Sequence, residues 1–290
     1  MTIFNLGSIN ADLFYHVPHL PAPGETLAAR SFTRGLGGKG ANMSVAAARA
    51  AARCVHIGAV GADGAWAVDR LMEYGVYTQF ISTVSEDTGN ALIAVDDAGE
   101  NTIILYPGAN HAISTDHLAE ALDGAGASDI FLTQNETNAQ RAAAELASSK
   151  GMRVAYAAAP FDAKAVQAVL PLLDLLFLNA VEARQLQEAT GLAPEALPVR
   201  DVIVTLGGDG ACWHNTDTGE TRAFPAVPVT PVDTTGAGDT FTGYVLAGLD
   251  RGLPMEQAIG QAMIAGAIMV TREGTADVIP DLRDVQDFGG

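Results

Sequence analysis

The chain has 290 residues, 48% of them hydrophobic, and a formal net charge of −18. That is enough apolar material for one large α/β domain or two small ones. It excludes a nucleic-acid groove, which needs clustered Lys and Arg; solubility accounts for most of the acidic charge. No stretch reaches the roughly 18 uninterrupted apolar residues of a membrane span, since Arg49 and Arg53 break the Ala-rich segment 45–52. Met1-Thr2-Ile3-Phe4-Asn5 has neither a basic region nor a signal-type apolar run. Cys54 and Cys212 sit in apolar strand-like runs and read as buried thiols. A reducing, cytoplasmic setting is the expectation.

Residues 2–7 read as a short buried strand ending at Gly7. Pro18, Pro21, Pro23 and Gly24 interrupt 8–36, where Leu13, Tyr15 and Val17 alternate. That pattern suits antiparallel strands outside a parallel core. Glycines 35, 37, 38 and 40 lead into a small-faced helix over 41–53. A strand at 54–60, a helix at 64–75 capped by Gly75 and a strand at 76–83 follow. Ala91–Val95 and Thr102–Tyr106 alternate around Asp96-Asp97-Ala98-Gly99-Glu100, a hairpin by pattern and turn chemistry.

A strand–helix rhythm then runs through strands 129–133, 152–156, 174–178 and 201–206, with helices at 138–149, 163–170 and 181–189. A hairpin over 211–224 and helices 238–251 and 255–271 complete the chain. This rhythm predicts a mostly parallel sheet covered on both faces. The segments 10–17 and 89–106 fall outside it and predict a small β lid over the sheet's carboxyl edge.

Candidate chemistry gathers at strand ends and helix starts. Gly236-Ala237-Gly238-Asp239 opens the helix after Val232. Glycines there aim free N–H groups at one point, an anion site, and Asp239 would face that anion. Asp is also an ordinary helix cap. Gly35-Leu36-Gly37-Gly38-Lys39-Gly40 matches G-x-G-x-x-G. It lies far from the first strand and no strand-end acid follows about 20 residues later, so it is not a dinucleotide loop. Gly40 after Lys39 also excludes a Walker A loop. A tight backbone approach remains, with Lys39 and Asn42 as donors; close helix–strand packing explains it equally.

Asn10 and Asp12 leave the first strand and suit a polyol, because a carboxylate accepts from two neighbouring hydroxyls; both are also common turn residues. Asn179 and Glu182 stand three apart at a helix start. They suit Mg²⁺ directly or through its waters, or a capping box. The turn Thr205-Leu206-Gly207-Gly208-Asp209-Gly210 permits close nucleotide contact or simply closes a hairpin.

Seven motifs in order carry a resemblance: Gly-Ser-Ile-Asn-Ala-Asp (7–12), Pro-Gly-Glu-Thr (23–26), Gly-Gly-Lys-Gly-Ala-Asn (37–42), Pro-Gly-Ala-Asn (107–110), Asn-x-x-Glu (179–182), Thr-Leu-Gly (205–207) and Asp-Thr-Thr-Gly-Ala-Gly-Asp-Thr-Phe (233–241). Together they resemble the ribokinase-like (PfkB) carbohydrate kinases over nearly the whole chain. The resemblance implies a three-layer α/β/α fold with a mostly parallel central sheet. It implies one kinase domain over 1–290, with a β-strand lid from about 10–36 and 88–107. The implied activity is transfer of the γ-phosphate of ATP to a sugar hydroxyl, with D-ribose at its 5-hydroxyl preferred and a ketohexose or nucleoside as alternative. A non-catalytic sugar-binding protein would lack the acid or the anion loop, and the sequence keeps both.

By the same resemblance Asp239 is the general base, with Gly236, Ala237 and Gly238 as the anion hole. Asn10, Asp12, Gly38, Lys39, Asn42 and Glu136 hold the sugar. Asn179, Glu182, Thr205, Gly207, Gly208, Gly210, Gly238 and Met263 lie at the nucleotide, with Mg²⁺ at Asn179 and Glu182. Asp233, Thr235, Met269, Arg272 and Gly274 surround a monovalent cation, K⁺. A homodimer through the lid is implied.

The helix start is expected to keep Asp239 ionised with a low pKa, so that it orients the hydroxyl and accepts its proton late. Four departures qualify the resemblance. Ala157-Ala158-Ala159-Pro160 replaces an Asn-Pro-Ala-Pro segment. Met263 stands where a polar residue often flanks adenine, and Val278 where a Ser often lies near the cation. The stretch 190–201 is too short for a helix that the family inserts there, which predicts an exposed apolar strip for a partner subunit.

Overall fold

The computed structural model describes residues 1–288. It begins with β1 (Ile3–Leu6), whose Ile3 and Leu6 are fully buried. The chain then leaves the core for β2 (Asn10–His16) and β3 (Ser31–Gly37), and returns through α1 (Lys39–Arg49) and β4 (Cys54–Val60). α2 (Ala65–Glu73) and β5 (Tyr77–Thr83) finish this part of the core, and β6 (Gly89–Val95) and β7 (Asn101–Tyr106) form a second excursion. Asp96 closes their turn by accepting from the N–H groups of Ala98 and Glu100, with Gly99 at φ 82°.

The remaining core elements are α3 (Thr115–Ala121), β8 (Ile130–Gln134), α4 (Gln140–Ser149), β9 (Arg153–Ala157), α5 (Ala163–Val169), β10 (Leu175–Asn179), α6 (Ala180–Thr190) and β11 (Asp201–Thr205). The hairpin β12 (Ala211–Asn215) and β13 (Glu220–Phe224) precedes α7 (Ala237–Asp250), α8 (Met255–Val270) and α9 (Leu282–Asp287).

Nine strands form the large sheet, in the order β13-β12-β11-β10-β9-β8-β1-β4-β5. β12 pairs antiparallel with β11 and with β13; the other neighbours are parallel. Nearly continuous apolar runs in β4, β8 and β9 reflect burial on both faces. One apolar core sets Ile3, Cys54, Leu132 and Ile203 against α1, α2, α7, α8 and α9. The other sets Leu6, Ile57, Phe131 and Val202 against α3, α4, α5 and α6. This is the three-layer α/β/α architecture.

Packing between α1 and α7 is very close. A Cβ on Gly243 would lie 2.5 Å from Ala46 Cβ and 2.7 Å from Met43 O, so only glycine fits there. The small-residue face of α1 therefore sets the distance between the two helix starts.

A separate four-stranded sheet runs β3-β2-β6-β7. Each excursion is an antiparallel pair, but β2 and β6 join them in parallel, from Asn10 opposite Gly89 to His16 opposite Val95. Parallel pairing between segments about 80 residues apart leaves no turn signal in sequence. Its outer strand exposes Ile103, Ile104, Leu105 and Tyr106, and Phe32 is exposed on β3.

Three readings need correction. α3 and α9 carry no strong periodic signal and were not expected. Cys212 is only partly buried, although both thiols are free and Cys54 is fully buried. The apolar strip expected over 190–201 reduces to Leu192, 39% exposed. Leu197 and Val199 fold back into the second core and are buried. Beyond them, the same sheet face continues into His214, opposite Val202, and Thr221, opposite His214. A short loop with two apolar plugs replaces the helix.

Candidate active site

The carboxyl ends of β1, β8, β10 and β11 share one edge of the large sheet, and the starts of α1 and α7 meet the end of β1 there. This is where open α/β sheets place ligands. Gly7, just past β1, touches Gly40 in α1: a Cβ on Gly40 would lie 2.3 Å from both Gly7 Cα and Ser8 N. The glycine loop thus makes a real close approach, between the chain's own backbone segments. Gly38 adopts φ 93° before α1, and Ala41 N donates to Ser8 O at 2.9 Å.

Glu136 binds this junction from β8's end. Its Oε2 accepts from Ser8 Oγ at 2.5 Å and from Lys39 N at 3.0 Å. Asn10 Oδ1 accepts from Asn110 Nδ2 at 2.8 Å, and Asn110 Oδ1 accepts from Ile9 N at 2.9 Å. Ser8 and Asn110 were not singled out as site residues. The only signal was their membership in the first and fourth motifs, because their partners lie 128 and about 100 positions away.

Asp239 is 7% exposed on the first turn of α7. Asn42 Nδ2 donates to its Oδ2 at 2.9 Å, while Asn42 Oδ1 is buried with no partner among the described residues. A buried orphan acceptor beside the carboxylate is a place for an incoming hydroxyl. Gly236 takes φ 75° and turns the chain into α7. Ala237 N reaches only Thr234 O, at 3.3 Å, and among the described residues no acceptor meets the N–H of Gly236 or Gly238. These free donors at a helix start can receive an anion.

The charges are coupled. Burial first, then Glu136 and Asp239, lift Asp12 to a pKa of about 7, with Lys39 pulling down. Lys39 is held above the ordinary lysine value, chiefly by Asp239, which outweighs its burial. Asp239 itself is raised above the usual carboxylate range. Burial outweighs the opposing effects of Lys39 and Asn42, and Glu136 and Glu182 push the same way. This corrects the expectation of a low pKa: a helix start offers only partial charges, whereas α1, α7 and the neighbouring acids desolvate and repel the carboxylate.

At the far side, Asn179 and Glu182 form a complete capping box on α6. Asn179 Oδ1 accepts from the N–H groups of Val181 and Glu182, both at 2.9 Å, and Glu182 Oε2 accepts from Asn179 N at 2.8 Å. The structural reading is therefore real. Glu182 Oε1 stays uncommitted and is close enough to shift Lys39 and Asp239. Thr205 lies opposite Asn179 in register. Gly207 and Gly208 have open space around them, while a Cβ on Gly210 would strike Phe224 O at 1.9 Å. Gly210 is a packing glycine. Met263 is half-buried against the α7–α8 core.

Asp233 ties the cation-site segments together, accepting from Thr235 N at 2.9 Å and Gly274 N at 3.3 Å. Met269 O and Arg272 N bond to each other at 3.0 Å, and Val278 packs beside Gly274. Met269 also props the anion loop, since a Cβ on Gly236 would lie 2.9 Å from its Cε.

Free N–H groups at a helix start, a buried carboxylate and a cluster of polar side chains on one face are the parts a phosphotransferase acting on alcohol groups requires. The pfkB family carbohydrate kinase profile matches residues 2–282. Ribokinase from Haemophilus influenzae is 33% identical over 99% of this chain and 98% of its own length. Ribokinase from Lactococcus lactis is 33% identical over 97% and 94%. Among solved structures, Arabidopsis thaliana ribokinase complexed with ribose and ATP superposes with a TM-score of 0.86 at 27% identity, covering 98% of this chain and 97% of that one. The chain belongs to the pfkB family of carbohydrate kinases, and it is a sugar kinase of that family.

Proposed function

We propose that the chain transfers the γ-phosphoryl group of ATP to the 5-hydroxyl of D-ribose. The observation that carries this is Asp239, buried between the Asn42 amide and the free N–H groups of the Gly236–Gly238 turn. On one side lies a set of polyol acceptors and donors, Asn10, Asp12, Lys39, Asn42 and Glu136. On the other lies the turn that receives phosphate. The relatives named above are ribokinases, and the Arabidopsis structure is complexed with ribose and ATP.

Asn42 and Lys39 orient the acceptor and offset part of the burial that disfavours ionised Asp239. The attacking oxygen forms its bond to γ-phosphorus as the bond to the ADP oxygen breaks. Its proton passes to Asp239 late in that step. A raised pKa makes Asp239 a better proton acceptor than a solvated carboxylate. The N–H groups of Gly236, Ala237 and Gly238 stabilise the charge that develops on the phosphoryl oxygens.

The donor set fits Mg²⁺ held through one carboxylate, waters and phosphates, because Glu182 Oε1 is uncommitted whereas Asn179 Oδ1 is spent on α6. Bound there, the ion would neutralise phosphate charge. Thr205 and the open turn at Gly207 and Gly208 would lie along the nucleotide. A monovalent cation would sit by Asp233, Thr235 and Gly274, stiffening the anion loop; exchanging potassium for sodium should then slow turnover. The small sheet acts as the lid of a single cytoplasmic kinase domain. Its exposed strand β7 pairs a second copy into a homodimer.

A coupled ADP-release assay across pentoses, ketohexoses and nucleosides tests the acceptor. D-ribose should give the highest kcat/KM, and a higher value for a ketohexose or nucleoside would remove ribose while keeping the kinase. Asp239→Asn should lower kcat by at least about 10²-fold, the low end for removing a catalytic base, with sugar affinity little changed. Near-normal turnover would refute the base.

A further inference from the structure

Beneath the acceptor pocket runs a line of buried polar side chains that the transfer chemistry does not use. Asn5, Ser44, His56 and Gln134 are all 0% exposed. Their contacts fix the donors and acceptors from His56 to Asn5, while Gln134 Oε1 has no partner among the described residues. Gly7 O can only accept, so His56 Nε2 donates to it, at 3.0 Å. His56 Nδ1 then carries a lone pair and accepts from Ser44 Oγ at 2.8 Å. Ser44 Oγ accepts from Asn5 Nδ2 at 2.8 Å, and the other Asn5 proton goes to Gly40 O, also at 2.8 Å. Gln134 Nε2 donates to Asn5 Oδ1 at 2.8 Å.

Two members of this line grip the two glycines that touch each other. His56 holds the Gly7 carbonyl and Asn5 holds the Gly40 carbonyl, across a contact where a Cβ on Gly7 would lie 2.5 Å from Gly40 Cα. From that contact α1 carries Lys39 to Glu136 and Asn42 to Asp239. An apolar side chain would fill this core position at less cost, since burying polar groups is favourable only when all are bonded. A hydrogen-bonded line fixes direction as well as distance.

We propose that His56 is a positioning residue: with Ser44 and Asn5 it locks the start of α1 against the end of β1, and so holds Asn42 and Asp239 in line with the acceptor hydroxyl. This rests on the phosphotransfer reading above. Displacement of reacting groups by about 1 Å costs on the order of 10²-fold in rate.

His56→Leu and His56→Gln, compared by steady-state kinetics, separate positioning from packing. His56→Leu should keep KM for ATP within about twofold and lose about 10- to 100-fold in kcat. His56→Gln, whose amide can donate to Gly7 O, should regain most of that loss. Should His56→Leu fail to fold, Ser44→Ala decides. It removes the donor to Nδ1 and should lower kcat while leaving KM for ATP unchanged. In wild type, ¹⁵N NMR of the imidazole should show the Nε2–H tautomer. Undiminished kcat in folded His56→Leu or in Ser44→Ala, equal losses in the Leu and Gln variants, or the Nδ1–H tautomer would each overturn the proposal. A wild type that phosphorylates no sugar overturns the kinase reading instead, whereas active wild type beside equally active variants overturns only this one.

Discussion

Asp12 is a carboxylate kept where the fold does not favour it. It is 7% exposed, and burial together with Glu136 and Asp239 raises its pKa from 3.8 to about 7. At about 1.36 kcal/mol per pKa unit, ionising it in the free protein costs about 4 kcal/mol above pH 7. The sign follows from linkage. The raised pKa adds stability that is fully present below pH 3.8 and is lost as pH rises to about 7. Asp12→Asn cannot ionise, so it should be more stable than wild type at pH 8 by up to about 4 kcal/mol. That advantage should shrink to about 2 kcal/mol at pH 5 and below about 1 kcal/mol at pH 4. Urea unfolding of both proteins at these pH values, without ligand, measures it. Sugar affinity should move oppositely. Wild-type KM for ribose should fall as pH rises toward 7, where the carboxylate becomes able to accept two hydroxyls, and Asp12→Asn should bind ribose poorly throughout. A pH-independent stability difference between the two proteins would refute the assignment of the raised pKa to Asp12.

Gly40→Ala places a methyl 2.3 Å from the Gly7–Ser8 backbone. It should cost about 1–3 kcal/mol by overpacking and lower kcat far more than KM for ATP, read by thermal melts and kinetics; a stable, fully active variant would show that the contact yields. Ile104→Lys, at a side chain 61% exposed on β7, should convert the proposed homodimer to monomer in sedimentation while leaving the monomer folded. An unchanged sedimentation coefficient would place the interface elsewhere.

Much of the site was legible because its residues travel in short runs. Gly236–Asp239 shows its donors and its acid within four consecutive positions, and the fold's strand–helix rhythm is equally local. The capping role of Asn179 and Glu182 was legible as one of two readings, and only geometry showed that it consumes the Asn oxygen. The direction of the Asp239 pKa was not legible. It depends first on burial, and then on Glu136 and Glu182, which arrive from the loop after β8 and from α6. The apolar strip over 190–201 failed for a related reason: chain length does not show that Leu197 and Val199 can fold back to cover the sheet.

By itself the sequence determined the layers, the strand ends that bear chemistry and the acid at the start of α7. These follow from periodicity, glycine spacing and charge, all encoded within a few residues. Tertiary structure alone decided that Asn42 meets Asp239 across 197 positions, that Ser8 meets Glu136 across 128, and that β2 pairs parallel with β6. Those are contacts between distant segments. They are set by how closely Gly7 approaches Gly40 and Gly243 approaches Ala46, which side-chain volumes fix only once the layers are packed.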